Sequence, residues 1–325
     1  MLPAYGLYGH IRNNNIKSVI ILGGFAFLIG LLWYAGCLYI VADARSRPFH
    51  AILQEAARFA QSTCYIPIAI VGVWFCIAYL FHSAIIRAGT GAVAVTRTDE
   101  PRLYNVVETL VITAGLPMPA IEIIEVDALN AYASGLSEQQ ATVAVTRGLL
   151  DKLDDRELAA VIAHELTHVK NRDVRLILCA VVFAGMISLI AELMLRVFLG
   201  SRSSDDKDSK AGFLALGITI VAFVFSFILQ FAMSRSREYL ADAGAVELTK
   251  DPDALISALR KISSNPEVAD MPASFSGMMI AAADGEGGLF STHPDLESRV
   301  DRLIRFAGGK DVPTAVEETD LPKAA

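Results

Sequence analysis

Charge is nearly absent from four long stretches of the chain. From Ser18 to Ala42 no residue is charged, and a helix of that length, rising about 1.5 Å per residue, crosses a hydrocarbon layer of about 30 Å. A second apolar run, Ser62 to Ile86, is closed by Arg87 and carries Trp74 and tyrosines suited to a membrane interface. A third, Leu176 to Ala191, extends to about Leu199 if Glu192 and Arg196, spaced i,i+4, pair near a membrane end. The fourth, Ala211 to Ser234, is again free of charge. A short polar loop separates the last two, which therefore read as a hairpin. The expected spans are 18–42, 62–86, 174–199 and 211–234, with 1–17 as an N-terminal segment and 200–210 as the hairpin loop.

Between the first two spans, residues 43–61 mix Arg45, Arg47, Glu55 and Arg58 with Ile52, Leu53, Ala56 and Phe59. That pattern suits either an amphipathic segment on the membrane surface or a solvated connector. After Arg87 the pattern becomes that of a globular domain. Pro101 opens a helical repeat of Leu103, Val106, Val107, Leu110 and Val111, stopped by Gly115 and the prolines 117 and 119. Strand-like runs follow at Ile121 to Val126 and Ala141 to Val145, with the polar-aromatic stretch Asn130 to Gly135 between them. Asp154 and Glu157 have the spacing of a capping box, and helical periodicity continues to Asn171. Beyond Arg235 helical patterns recur at Asp253 to Ile262 and Asp295 to Phe306. The globular domain is thus expected in two parts, 87–173 and 235–307, with 308–325 as a flexible tail.

Composition agrees with the membrane reading. Apolar residues make up 54% of the 325 and charged ones 19%, with a mean hydropathy of +0.45, too apolar for a soluble domain of this length. The net charge of -7 offers no basic surface for phosphate backbones, so nucleic acid is not an expected partner. Cys37, Cys64, Cys76 and Cys179 lack the spacing of an extracellular disulfide framework and read as small core residues.

The chemistry lies in His164-Glu165-Leu166-Thr167-His168. On a helix, two histidines four residues apart are separated by about 40° and one turn, so both imidazoles reach one metal ion. Glu165, beside the first, is placed to take a proton from the attacking water instead of binding metal. A catalytic zinc needs a third protein ligand, and Glu238 in Ser234-Arg235-Ser236-Arg237-Glu238-Tyr239-Leu240-Ala241-Asp242 is the candidate. Asp242, one turn later, can orient a ligating histidine. Without the histidine motif, Glu238 reads as a solvated helical carboxylate and Asp242 as a surface charge. Two crossings between His168 and Glu238 return both to one side of the membrane, as a shared site requires.

Taken together, H-E-L-T-H with the following K-N-R-D, the apolar hairpin and S-R-S-R-E-Y-L-A-D resemble the HtpX membrane metalloproteases, relatives of the CAAX prenyl endopeptidases. The resemblance covers most of the chain, including Asn130 to Gly135 and Thr292-His293-Pro294. It implies His164, His168 and Glu238 as ligands of one zinc ion per chain and Glu165 as the catalytic base. It further implies that Asn130, Ala131, Tyr132, Ala133 and Ser134 form an edge strand pairing with an extended substrate. The alternative there is an internal strand. It also implies that His293 and Arg299 approach the carbonyl oxygen and help hold the developing oxyanion; for His293, a cap beside Pro294 is the alternative.

The expected architecture is a four-span α-helical membrane protein with a zincin-like α+β protease domain. Basic residues flanking the spans are more numerous on the protease side, which favours a cytoplasmic site. The resemblance points to a bacterial plasma (inner) membrane, with misfolded or damaged membrane proteins, or unfolded polypeptides, as substrates and the lipid bilayer as surroundings. A different class, a non-catalytic zinc-containing membrane chaperone or adaptor, gives Glu165 nothing to do.

Overall fold

A computed structural model describes residues 7–41, 48–200, 210–231, 236–268, 278–281 and 294–310. His293, most of the hairpin loop, and the tail from 311 onward lie outside the described residues. Among the described residues, eleven α-helices and a four-stranded sheet fall into an apolar helical bundle and an α+β domain.

Helices α1 (Leu7–Val41), α7 (Asp173–Gly200) and α8 (Lys210–Phe231) form the centre of the bundle. Phe25, Leu28 and Leu32 of α1 interlock with Met186, Ile187 and Ala191 of α7 and Ala222 of α8. The 43–61 segment contains α2 (Phe49–Ser62), whose Ile52 and Ala56 pack onto Ala35, Leu38, Ala211 and Ala215. Its amphipathic pattern thus serves packing on the bundle. Helix α3 (Tyr65–Thr90) lies more peripherally and turns Ile68, Val73, Leu80 and Phe81 outward. Within α1 and α3, the stretches Gly23–Val41 and Tyr65–Thr90 are long and apolar enough to cross a membrane. Cys37 is buried, but Cys64 and Cys76 are exposed, so these two are not core residues.

The α+β domain is built on strands β1 (Val93–Ala94), β2 (Ala120–Ile124), β3 (Ala131–Ser134) and β4 (Thr142–Thr146), ordered β1-β2-β4-β3. β2 and β4 are parallel, with Ile121 opposite Val143, while β3 returns antiparallel with Ala133 opposite Val143. Successive side chains alternate between faces. Ile121, Ile123, Val143 and Val145 meet α4 (Pro101–Ala114) and α6 (Asp155–Lys170), while Ile124, Tyr132 and Ala144 meet Ile86 at the end of α3. β3 is the edge strand that the resemblance implies, and its alanines 131 and 133, both buried, leave room for α6 to approach.

Helix α6 is buried along nearly its whole length. Leu158, Val161, Ile162 and Leu166 are each at most 1% exposed, and burial of such a side chain contributes about 1.5–3 kcal/mol. Its start is fixed by the expected capping box. Asp154 Oδ1 accepts from the amides of Arg156 and Glu157, both at 2.9 Å, and Glu157 Oε2 accepts from the amide of Asp154 at 2.9 Å. Glu157 also accepts from Ser257 Oγ at 2.6 Å and Lys261 Nζ at 2.7 Å on α10 (Pro252–Ile262). Sequence patterns did not reveal α5 (Arg147–Lys152), one and a half turns too short to show a period.

Because Glu157 caps one helix and ties down another, Glu157→Ala should destabilise more than Asp154→Ala. The expected losses are about 3 kcal/mol for the buried ion pair and cap together, against about 1 kcal/mol for the cap alone. Denaturant unfolding of purified variants, followed by loss of helical signal, measures both; equal losses would show that the link to α10 contributes nothing.

Candidate metal centre

His164 and His168 are one turn apart on α6, with Nε2 atoms 3.2 Å apart. Glu238 comes from the first turn of α9 (Ser236–Thr249), which crosses α6 closely. Its Oε2 lies 3.6 Å from His164 Nε2 and its Oε1 3.6 Å from His168 Nε2. The crossing requires Gly244: a Cβ there would collide with Cγ2 and Oγ1 of Thr167 on α6. All three ligating groups are buried, and their ligand atoms lie within 4.8 Å of one another.

The far nitrogen of each imidazole is held by its own carboxylate. His164 Nδ1 is 3.0 Å from Asp242 Oδ1, and His168 Nδ1 is 3.0 Å from Asp173 Oδ2. With Nδ1–H donated to these acceptors, both Nε2 atoms present lone pairs to each other and to Glu238. Two lone pairs and a carboxylate at such separations repel unless a cation lies between them. A tetrahedral ion with bonds of about 2.1 Å sets ligand atoms about 3.4 Å apart, close to the 3.2 and 3.6 Å found here. The donor set therefore fits a small metal ion with one position left open.

Electrostatics support the same conclusion. Burial opposes a charged His168, yet Glu238 and Asp173 outweigh it and push its pKa up to about 10. His164 is raised as well, burial being outweighed by Asp242 and Glu238. A field that draws protons so strongly also draws a dication, which competes for the same nitrogens. Glu165 is 2% exposed, and burial raises its pKa against the lowering effect of His164 and His168. The backbone of Ala133 on β3 adds a further lowering effect.

Two further residues singled out in the sequence are held in this surrounding. Arg299, expected beside the oxyanion, lies behind His164 instead, on α11 (Leu296–Ala307). Its Nη2 and Nε donate to Asp242 at 2.6 and 3.0 Å, its Nη1 donates to Ile280 O at 3.2 Å, and it is 3% exposed. Against the penalty of burial, this guanidinium and His164 hold the Asp242 carboxyl down at about 2. Arg299 thus keeps Asp242 ionised and aimed at His164. Asn130, expected to bind substrate, has its side chain committed to Pro266, Ala281, Ala131 and Ile280.

Asp173 is the ligand-orienting residue that helical spacing hides. It is five residues after His168, past a break at Arg172, whose φ of 60° ends α6 and turns the first residue of α7 back onto the imidazole.

Two imidazoles with an intervening glutamate on one helix, and a carboxylate from a second helix, define a metallopeptidase site. The sequence profile of Peptidase family M48 matches residues 97–306. A protein named Protease HtpX homolog from Bacteroides fragilis is 41% identical over 318 residues, covering 93% of this chain and 99% of that one. Another of that name from Dictyoglomus thermophilum is 37% identical over 306 residues, covering 93% and 95%. The crystal structure of S. mikatae Ste24p aligns with 74% of this chain and 57% of its own, at 21% identity and a TM-score of 0.46. The chain belongs to peptidase family M48 and, within it, to the HtpX proteases; it is a metalloprotease.

Glu238→Ala removes one of three ligating groups and should abolish stoichiometric metal binding, whereas Asp242→Asn should leave binding in place but weaken it about 10- to 100-fold. Competition with a chromophoric chelator measures both. Wild-type affinity in Glu238→Ala would place the third ligand elsewhere.

Proposed function

We propose that the chain is a zinc endopeptidase of the bacterial inner membrane, hydrolysing peptide bonds of misfolded or damaged membrane proteins at the cytoplasmic face. The observation that carries this reading is the convergence of His164, His168 and Glu238 on one point with Glu165 alongside. His164, His168 and Glu238 would hold one zinc ion, and the open position suits a water molecule. Zinc there supplies a Lewis acid that polarises the scissile carbonyl and brings the pKa of water to about 7. Glu165 takes the water's proton and returns it to the leaving amine; its raised pKa brings the two transfers closer in energy. β3, at the edge of the sheet, offers the C=O of Ala133 to an extended peptide.

Four spans are supported by the way the metal-bearing helices continue into apolar ones. α6 leads through Arg172 directly into α7, and α9 follows α8 after a few residues. Leu189, Leu193 and Val197 of α7 and Phe213, Val221 and Phe225 of α8 face outward, as lipid-facing residues do. The cytoplasmic orientation rests on Arg12, Lys17, Arg87, Lys170, Arg172, Arg175, Arg235 and Arg237 against Arg45, Arg47, Arg58, Arg202, Lys207 and Lys210. Asp173, the first residue of α7, contacts His168 itself, and Glu238 is seven residues after the end of α8, which supports a site close to the membrane surface.

Glu165→Gln should retain zinc and lose casein cleavage by at least about a hundredfold, since the amide accepts no proton. Cleavage by detergent-purified wild type should also stop with chelator; a Glu165→Gln preparation as active as wild type would sink the assignment. For location, one cleavable sequence placed at increasing distances from a reporter's transmembrane segment in proteoliposomes should be cut most rapidly near the bilayer. Rates independent of distance would leave the spans as anchors only.

A further inference from the structure

The backbone groups on the open edge of β3 are almost all committed. Residues 130, 132 and 134 point their N–H and C=O toward β4, as Thr146 N–H to Asn130 O at 3.0 Å illustrates, which leaves those of Ala131 and Ala133 on the open side. At Ala131 both are taken. Its C=O accepts from Ile280 N–H at 2.9 Å, and its N–H donates to Asn130 Oδ1 at 3.0 Å. Asn130 clamps the same segment from the side, with Oδ1 accepting from Ile280 N–H at 3.1 Å and Nδ2 donating to Ala281 O at 2.9 Å. Arg299 holds Ile280 O at 3.2 Å.

Side chains anchor the segment as well. Ile280, 1% exposed, enters the core shared with α6, while Met278 and Met279 enter the core on the opposite face of the sheet with Tyr132 and Ile86. A segment held through both backbone groups and two cores opens only at high free energy. Ala133 alone remains; its C=O has no partner among the described residues, and its N–H is on the side of the Glu165 carboxylate.

We propose that residues 278–281 are a fixed end stop in the substrate cleft: a peptide pairs with β3 at Ala133 and is turned off the strand by Ile280. This rests on reading β3 as the strand that holds substrate. Antiparallel pairing is the more stable arrangement and lets one substrate residue donate its N–H to the C=O of Ala133. It sends the C-terminal side of the substrate toward Ala131 and Ile280, and the N-terminal side past Ser134. At about 3.3 Å per residue, the stop is met roughly two residues beyond the paired one. The substrate chain can therefore continue along the cleft on the N-terminal side only, which makes Ile280 and its clamp Asn130 determinants of specificity.

The test uses full-length protein in detergent and quenched-fluorescent peptides sharing one cleaved sequence, lengthened by one to four residues on either side. N-terminal lengthening as far as the residue that reaches the Ala133 C=O should raise kcat/KM about fivefold, as one new hydrogen bond does, and C-terminal lengthening beyond two residues should raise it not at all. Ile280→Pro removes the N–H that bonds Ala131 and should make C-terminal lengthening profitable, whereas Ile280→Ala keeps the N–H and the wild-type asymmetry. Equal gains on both sides in the wild type, or unchanged asymmetry in a folded Ile280→Pro, would overturn the end stop while leaving the protease reading intact. Cleavage of no peptide at all would overturn both. Should Ile280→Pro fail to fold, the wild-type series decides alone.

Discussion

The close crossing of α6 and α9 is the constraint on which the site depends. Only at that approach does a carboxylate on one helix stand 3.6 Å from two imidazoles on the other, and Gly244 against Thr167 is what permits it. The rest of the domain holds α6 still. Its N-terminus is locked by the Asp154–Glu157 box and by Lys261, its apolar face is sealed under β2 and β4, and its C-terminus is fixed by the turn at Arg172. A metal site tolerates ligand displacements of only tenths of an ångström, so a rigid helix is a chemical requirement here.

Charge is arranged to the same end. Glu165, Glu238, Asp242 and Asp173 are all buried, which would be strongly destabilising without compensation. Arg299 compensates Asp242, and the two imidazoles engage Asp173 and Glu238; a bound cation would add to the balance. The chain from Ile280 O through Arg299 and Asp242 to His164 also couples the edge of the cleft to a metal ligand. The pieces that shape the cleft and those that hold the metal are therefore one hydrogen-bonded unit.

Much of this was legible in the sequence because it is local. The box at Asp154, the His164–His168 face and the helix opened by Pro101 all follow from spacings of three or four residues. The strand runs appeared within a residue or two of β2 and β4. Features that depend on distant partners did not appear: the Asn130 bonds reach Pro266 and Ala281, and Arg299 meets Asp242 across 57 positions. Asp173 was hidden for a different reason. Its contact needs a left-handed residue, and an arginine at that position gives no sign of one.

The central claim is that the two helices present three ligands to one zinc ion. X-ray diffraction from crystals of the full-length protein, recorded on both sides of the zinc absorption edge, tests it directly. The account requires a single anomalous peak within about 2.0–2.2 Å of Nε2 of His164, Nε2 of His168 and the Glu238 carboxylate. A peak bound by other residues, or a zinc-loaded crystal with no peak between these three, would contradict it.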